Sequence, residues 1–299
     1  MRILLILAIY FLCCSQYVLA KSKRVLKLNG KGITDVSDLK VPNRIRVLQL
    51  SSNSITSLEG LVLPSKLRFL DLDLNELINL NGVNFNEALE FLEISGNPTI
   101  VDYSNLANIQ SLKSLTLAVN NLSKDSFDFN LITANLEFLV VGGNFFTDLN
   151  LTQFRKLQKL NMKSMFPASK GAEEYLLDYS KVILPESLKI LFIGGNDFGD
   201  QDFSQLVLPD GIEEIDMATS SLDQDELKTL TLPANLKKLR LKRNNISTLD
   251  DLEFPESLEE LNLQLNPLTK EEKEKIKARF GKKVKVIFKC NTNKCRNSA

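Results

Sequence analysis

Carboxylates are the side chains of this chain best placed to do chemistry. Asp71, Asp73, Glu93 and Asp216 recur on corresponding positions of a short alternating pattern, and paired carboxylates supply the acid and base of glycoside hydrolysis. They stand in several different units of that pattern, so solvated surface charge is the simpler reading. The 299-residue chain has no histidine, which removes Ser-His-Asp and Cys-His nucleophile systems and every histidine metal site. Gly142-Gly143 and Gly194-Gly195 lack the spacing of a phosphate loop and suit tight turns after a strand. The expectation is a protein with no catalytic residue, no cofactor and no metal ligand.

The four cysteines fall at the two ends. Cys13 and Cys14 sit in MRILLILAIYFLCCSQYVLA, where Arg2, an apolar run from Ile3 to Cys14, and the small residues Val18 and Ala20 have the order of a secretory signal peptide, expected at 1–20. Cys290 and Cys295 then remain, an even pair in an oxidising compartment. Two thiols without histidine are too few for a zinc site, and a disulfide across so short a span would add only about 2 kcal/mol. No later stretch has the roughly 20 apolar residues of a membrane span. Secretion to the extracellular space is the expected localisation, without stable membrane insertion.

The elements that must position these groups are repeats. The phrase LPSKLRFLDLDLNELINL, from Leu63 to Leu80, carries leucines at Leu67, Leu70, Leu72, Leu77 and Leu80 and an asparagine at Asn75. Eleven such units run from Leu26/Leu28 through Leu48/Leu50, Leu70/Leu72 and Leu92/Ile94 to Leu261/Leu263, 21 to 24 residues apart except once. This L-x-x-L-x-L-x-x-N-x-L period resembles the leucine-rich-repeat family over Val25 to Phe288. The resemblance implies an α/β, β-rich right-handed solenoid, an arc whose parallel sheet lines the concave side. It also implies that Asn53, Asn75, Asn97, Asn120, Asn144, Asn196, Asn244 and Asn266 point inward and bond turn backbone. Alternation within L-x-L sends two side chains to the core and the one between them outward.

Proline follows a second apolar pair at Pro42, Pro64, Pro185, Pro209, Pro233 and Pro255. Its fixed φ and missing donor predict a thin convex wall of short extended or 3₁₀ segments. Lys31, Met165 and Ser220 replace the asparagine, and the unit at 157–187 is lengthened. Ser169 as a cap, Glu173 and Glu174 in a first turn, and Tyr175 with Tyr179 at i, i+4 predict a helix there, either as a binding protrusion or as packing with Leu176, Leu177 and a tyrosine turned inward. After repeats at 21–268, Thr269 and Glu272 have capping-box spacing, Gly281 can end the helix, and Val284, Val286 and Phe288 alternate with lysine. The stretch 269–299 is thus expected to be a C-terminal cap of helix, strand and Cys290–Cys295 disulfide.

Register fixes what faces outward. Phe69, Asp71, Phe91, Glu93, Phe138, Val140, Ile190 and Phe192 form an aromatic and acidic set on the concave wall, the pattern of an exposed protein-binding patch. Sequons at Asn121, Asn150 and Asn245 are candidate N-glycosylation sites. Lys and Arg balance Asp and Glu at 37 each, yet eleven basic residues stand against three glutamates between Lys270 and Arg296. A basic cap could hold an acidic glycan; nucleic acid is not expected. The expected function is that of a secreted, non-catalytic scaffold binding an extracellular protein. Recognition in defence, inhibition of an enzyme and the work of a parasite effector are what the resemblance implies. The alternative is an adhesive matrix protein that binds glycans through its cap.

Overall fold

Each L-x-L pair becomes a strand of three residues. The computed structural model describes residues 24–165, 177–196 and 202–289; the signal peptide expected at 1–20 and the disulfide expected between Cys290 and Cys295 lie outside the described residues. Strands are β1 (Val25–Lys27), β2 (Val47–Gln49), β3 (Phe69–Asp71), β4 (Phe91–Glu93), β5 (Ser114–Thr116), β6 (Phe138–Val140), β7 (Leu149–Asn150), β8 (Lys159–Asn161), β9 (Val182–Ile183), β10 (Ile190–Phe192), β11 (Glu214–Asp216), β12 (Lys238–Arg240), β13 (Glu260–Asn262) and β14 (Lys285–Ile287). Among the described residues all but β7 and β9 join one twelve-stranded parallel sheet in chain order. The register stacks like on like: Leu48 beside Leu70, Leu70 beside Leu92, and onward through every coil. The leucine-rich-repeat solenoid expected from the period is therefore the observed fold.

Stacking creates the core. Leu48, Leu70, Leu92, Leu115, Leu139 and Leu160 are fully buried between coils, and each such burial is worth about 1.5–3 kcal/mol. At the first strand Leu26 and Leu28 are only partly buried against the core, so their contribution is smaller.

The asparagine ladder has a direction. Asn75 donates to the carbonyls of Leu72 in its own coil at 2.9 Å and Leu50 in the previous coil at 3.1 Å, and its Oδ1 accepts from Ile55 N–H at 3.1 Å. Asn144 does the same with Val141, Leu117 and Leu122. Each asparagine thus satisfies the turn of the coil before it, which explains why the three irregular positions are tolerated. Lys31 N–H is held by Asn53 at 2.9 Å, Met165 N–H by Asn196 at 2.5 Å, and Ser220 N–H by Asn244 at 2.8 Å. Left unpaired, the donors of buried Met165 and Ser220 would each cost about 1–3 kcal/mol.

The outer wall follows its prolines. The carbonyls of Pro42, Pro64, Pro185, Pro209, Pro233 and Pro255 accept the N–H three residues on, from Ile45, Leu67, Leu188, Ile212, Leu236 and Leu258. These turns return the chain to the next strand with a buried side chain. Among the described residues, 3₁₀ turns at Ser104–Asn108, Phe129–Leu131 and Tyr179–Lys181 add to the thin wall. One addition is α1 (Gln224–Thr229), started by Asp223 and Glu226 as a reciprocal capping box. In the lengthened unit, Leu177 and Tyr179 pack inward, the Tyr179 ring 5.3 Å from Phe203. The helix expected around Ser169 to Tyr175 lies outside the described residues.

The cap closes the last coil. Helix α2 (Lys270–Phe280) buries Ile276, and Thr269 Oγ1 accepts from Glu272 N–H at 3.1 Å. The capping box is only half formed, because Glu272 Oε1 instead accepts from Leu249 N–H and Thr248 Oγ1, tying the helix to the preceding coil. Arg279 lies over the rings of Phe254 and Phe280 and donates to the carbonyls of Leu249 and Leu252.

Candidate functional site

Two rows of side chains stand on the sheet face opposite the core, as the register requires. One runs Phe69, Phe91, Ser114, Phe138, Lys159, Ile190 and Glu214; the other runs Asp71, Glu93, Thr116, Val140, Asn161, Phe192 and Asp216. The expectation of exposed aromatics needs correction. Phe69, Asp71, Glu93, Phe138 and Val140 are buried, and Phe91, Ile190 and Phe192 are half-buried. Neighbouring strands are only about 4.8 Å apart, so a side chain the size of phenylalanine is flanked by its counterparts on adjacent coils. The Phe69 and Phe91 rings lie 6.3 Å apart, and Phe138 and Val140 form a small apolar cluster with Ala118, separate from the main core.

Lysines are interleaved with the rings. Lys159 Nζ lies 5.1 Å from the ring centres of both Phe138 and Phe192, and Lys163 Nζ lies 5.4 Å from Phe192 while pairing with Asp216 at 2.6 Å. Arg240 pairs with Glu214 one strand further on. Ammonium over an aromatic face is attractive by about 0.5–2 kcal/mol, so this band is an ordered lattice of apolar and charged groups. Sequence reasoning singled out the rings and missed Lys159 and Lys163; the signal was the place of Lys159 in the first outward row and of Lys163 two residues past Asn161 of the second.

The second correction concerns the carboxylates, read from the sequence as dispersed. Asp71, Asp73 and Glu93 bring their carboxylate oxygens within 4.8 Å of one another, and all three residues are buried. Residues 20 or 22 apart in the chain are neighbours in space because each coil returns to the same register. Asp71 Oδ1 accepts from Asp73 N–H at 3.1 Å, and Asp73 Oδ1 accepts from Ser95 N–H at 2.6 Å. Burial lifts the Asp71 carboxyl to about 6, opposed by its bonds to Ser51 and Asp73. It lifts Glu93 to about 8, with the Asp71 charge adding to the effect. Asp73 is raised by burial and then by the charges of Glu93 and Asp71. No lysine or arginine forms an ion pair with any of the three among the described residues. Asp216, the fourth carboxylate, stands apart with Lys163.

Outside this face, Asn121, Asn150 and Asn245 are all exposed, and Asn121 and Asn245 follow the ladder residues Asn120 and Asn144's later counterpart Asn244 in equivalent turns. In the cap, Lys277 and Lys285 already pair with Glu274 at 2.7 Å and Glu260 at 2.8 Å. A cleft of about 750 Å³ on Tyr103, Phe127, Phe146 and their neighbours shares no residue with the carboxyl cluster. No helix among the described residues is long and apolar enough to cross a membrane.

Comparison with protein-family models and with curated proteins gives no match. Among solved structures, an internalin from Listeria monocytogenes is similar, with a TM-score of 0.54 at 20% identity over 92% of this chain and 87% of the internalin. That likeness extends to the architecture of the repeats and, at this identity, to nothing finer. Twelve strands in one parallel sheet, a ladder of inward asparagines and this likeness together give the chain a leucine-rich-repeat fold.

Proposed function

We propose that the chain is a secreted, non-catalytic recognition scaffold that holds an extracellular protein against the open face of its sheet. The observation that carries this reading is the band from β3 to β11. The half-buried Phe91 ring lies 6.3 Å from buried Phe69, and half-buried Ile190 and Phe192 stand two strands from buried Phe138 and Val140, with Lys159 between the Phe138 and Phe192 rings and Lys163 joining Phe192 to Asp216. Aromatic anchors that are already fixed by their neighbours lose little freedom on binding, which is the property of interface hot spots. Scaffold positions are consumed by packing and by the asparagine ladder, so these rows are where recognition can vary. The N-terminal apolar leader and the exposed sequons support export. The absence of histidine and the separation of the 750 Å³ cleft from the carboxyls support a non-catalytic role. Recognition in defence, inhibition of an enzyme, or action as a parasite effector all fit this use of the face. The glycan alternative has less support, because Lys277 and Lys285 are engaged with glutamates.

The test is affinity capture from the protein's own extracellular fluid with the native chain and with Phe91→Asp and Phe192→Asp variants. Both positions are half-buried, so the variants are expected to keep native circular dichroism while losing the captured partner, a loss of at least about 2 kcal/mol for a hot spot. Undiminished capture by both folded variants removes the open face as the binding surface.

A further inference from the structure

The carboxyl cluster has a feature that protein binding does not use. Asp71, Asp73 and Glu93 present oxygens within 4.8 Å of one another, and no basic side chain among the described residues pairs with them. Repulsion and burial both oppose such an arrangement unless positive charge enters it. Two buried oxygens in and beside the cluster lack hydrogen-bond partners. Asp71 Oδ2 accepts no hydrogen bond although Asp71 is 0% exposed. Thr116 Oγ1, on a residue 7% exposed, has no partner in full hydrogen-bond geometry and lies beside the Asp73 carboxyl. A buried hydroxyl left in this condition costs about 1–3 kcal/mol, so it marks a position for a ligand.

The geometry points to a calcium site formed by Asp71, Asp73 and Glu93 with the Thr116 hydroxyl. Calcium–oxygen bonds of about 2.3–2.6 Å let oxygens that lie within 4.8 Å of one another share one ion, and calcium's flexible coordination accepts a set of three carboxylates more readily than the near-ideal octahedron that magnesium demands. The donor set is all oxygen, suited to a hard cation, and the chain has no histidine to favour a softer one. Backbone supports are in place: Asp73 N–H holds Asp71 Oδ1 and Ser95 N–H holds Asp73 Oδ1, leaving the second oxygen of each aspartate for the ion. Glu93 and Asp73 keep 8% and 6% exposure, so the cluster is not sealed from solvent. Strands β3 and β4 with the turn after β3 supply the carboxylates, and β5 supplies the hydroxyl, so the ion would clamp three successive coils.

The full-length chain, stripped with chelator and dialysed, would be titrated with calcium chloride and with magnesium chloride, reading heat by calorimetry and the midpoint of thermal unfolding. Calcium sites of extracellular modules are half-filled at about 0.1–1 mM. Calcium at about 10 mM is expected to raise the midpoint by roughly 3–8 °C, and magnesium by less. Asp71→Asn and Glu93→Gln keep the shapes of the side chains and remove repulsion, so both are expected to fold without calcium and to lose most of the shift; Thr116→Val is expected to weaken binding by a smaller factor. Absence of heat and of any shift in the native chain overturns the site, as does a calcium shift that persists undiminished in the folded Asp71→Asn and Glu93→Gln variants. Failure of this test leaves partner capture by Phe91 and Phe192 untouched, so the two readings stand or fall separately.

Discussion

Two residue types do opposite work in this chain. The ladder asparagines from Asn53 to Asn244 are buried and bonded: Asn97, for example, donates to Leu72 and Ile94 and accepts from Leu77 N–H. Asp71, Asp73 and Glu93 are buried and only partly bonded. Their carboxyls hold protons in the folded chain that they release in the unfolded one, since ordinary values near 3.8 and 4.5 rise to about 6 for Asp71 and about 8 for Glu93. For acids raised by folding, the stabilising difference is present at low pH and is lost as pH climbs through the folded values. With chelator present, the urea midpoint is therefore expected to fall between about pH 4 and pH 8. An Asp71→Asn/Glu93→Gln double variant should lack most of that slope. A native chain whose slope matches the variant's would show that burial does not perturb these groups.

At the scale of the element, the strand and its exit turn are the unit of construction. The residue just before each ladder position has a positive φ, from Gly30 at 63° through Ser52 at 58° and Leu74 at 57° to Leu265 at 58°. Only Gly30, Gly96, Gly143 and Gly195 meet this demand with glycine. An L side chain there costs about 1–2 kcal/mol, offset by roughly 0.5–1 kcal/mol of extra backbone entropy that glycine loses on folding. Arg243, exposed and at φ 58°, tests the balance without disturbing packing. Arg243→Gly is expected to stabilise by about 0.5–1 kcal/mol in urea unfolding, and a destabilised variant would mean that the arginine makes a compensating contact. The reverse change at Gly143 is excluded by space as well as by φ, because a Cβ would meet Val119 Cγ2 at 2.7 Å.

The whole molecule is a one-dimensional stack in which each coil is covered only by its neighbours, so its ends decide where it opens. At the C-terminal end Ile276 is the buried residue of α2, and Arg279 bonds the last turns. Ile276→Asp is expected to cost about 3 kcal/mol or more by placing a charge in that contact. Hydrogen exchange should then show β13 and β14 losing protection while β5 and β6 keep theirs; uniform loss would mean that the stack unfolds as one body. Much of this was legible in the sequence. The eleven marker pairs, the asparagine positions and the proline turns follow from period-two alternation and local backbone constraints, which act within a few residues and need no partner to be read. What faces the core is equally local, since Leu70 and Leu72 cannot both be buried unless Asp71 points the other way. What lies beside what is not local. That Asp73 meets Glu93, that Lys159 rests between Phe138 and Phe192, and that β8 pairs with β10 across the lengthened unit was decided only when coils stacked about 4.8 Å apart, turning a separation of some twenty or thirty residues into contact. The repeat and its register therefore belong to the sequence by itself, and the carboxyl cluster and the laced aromatic band belong to the tertiary structure.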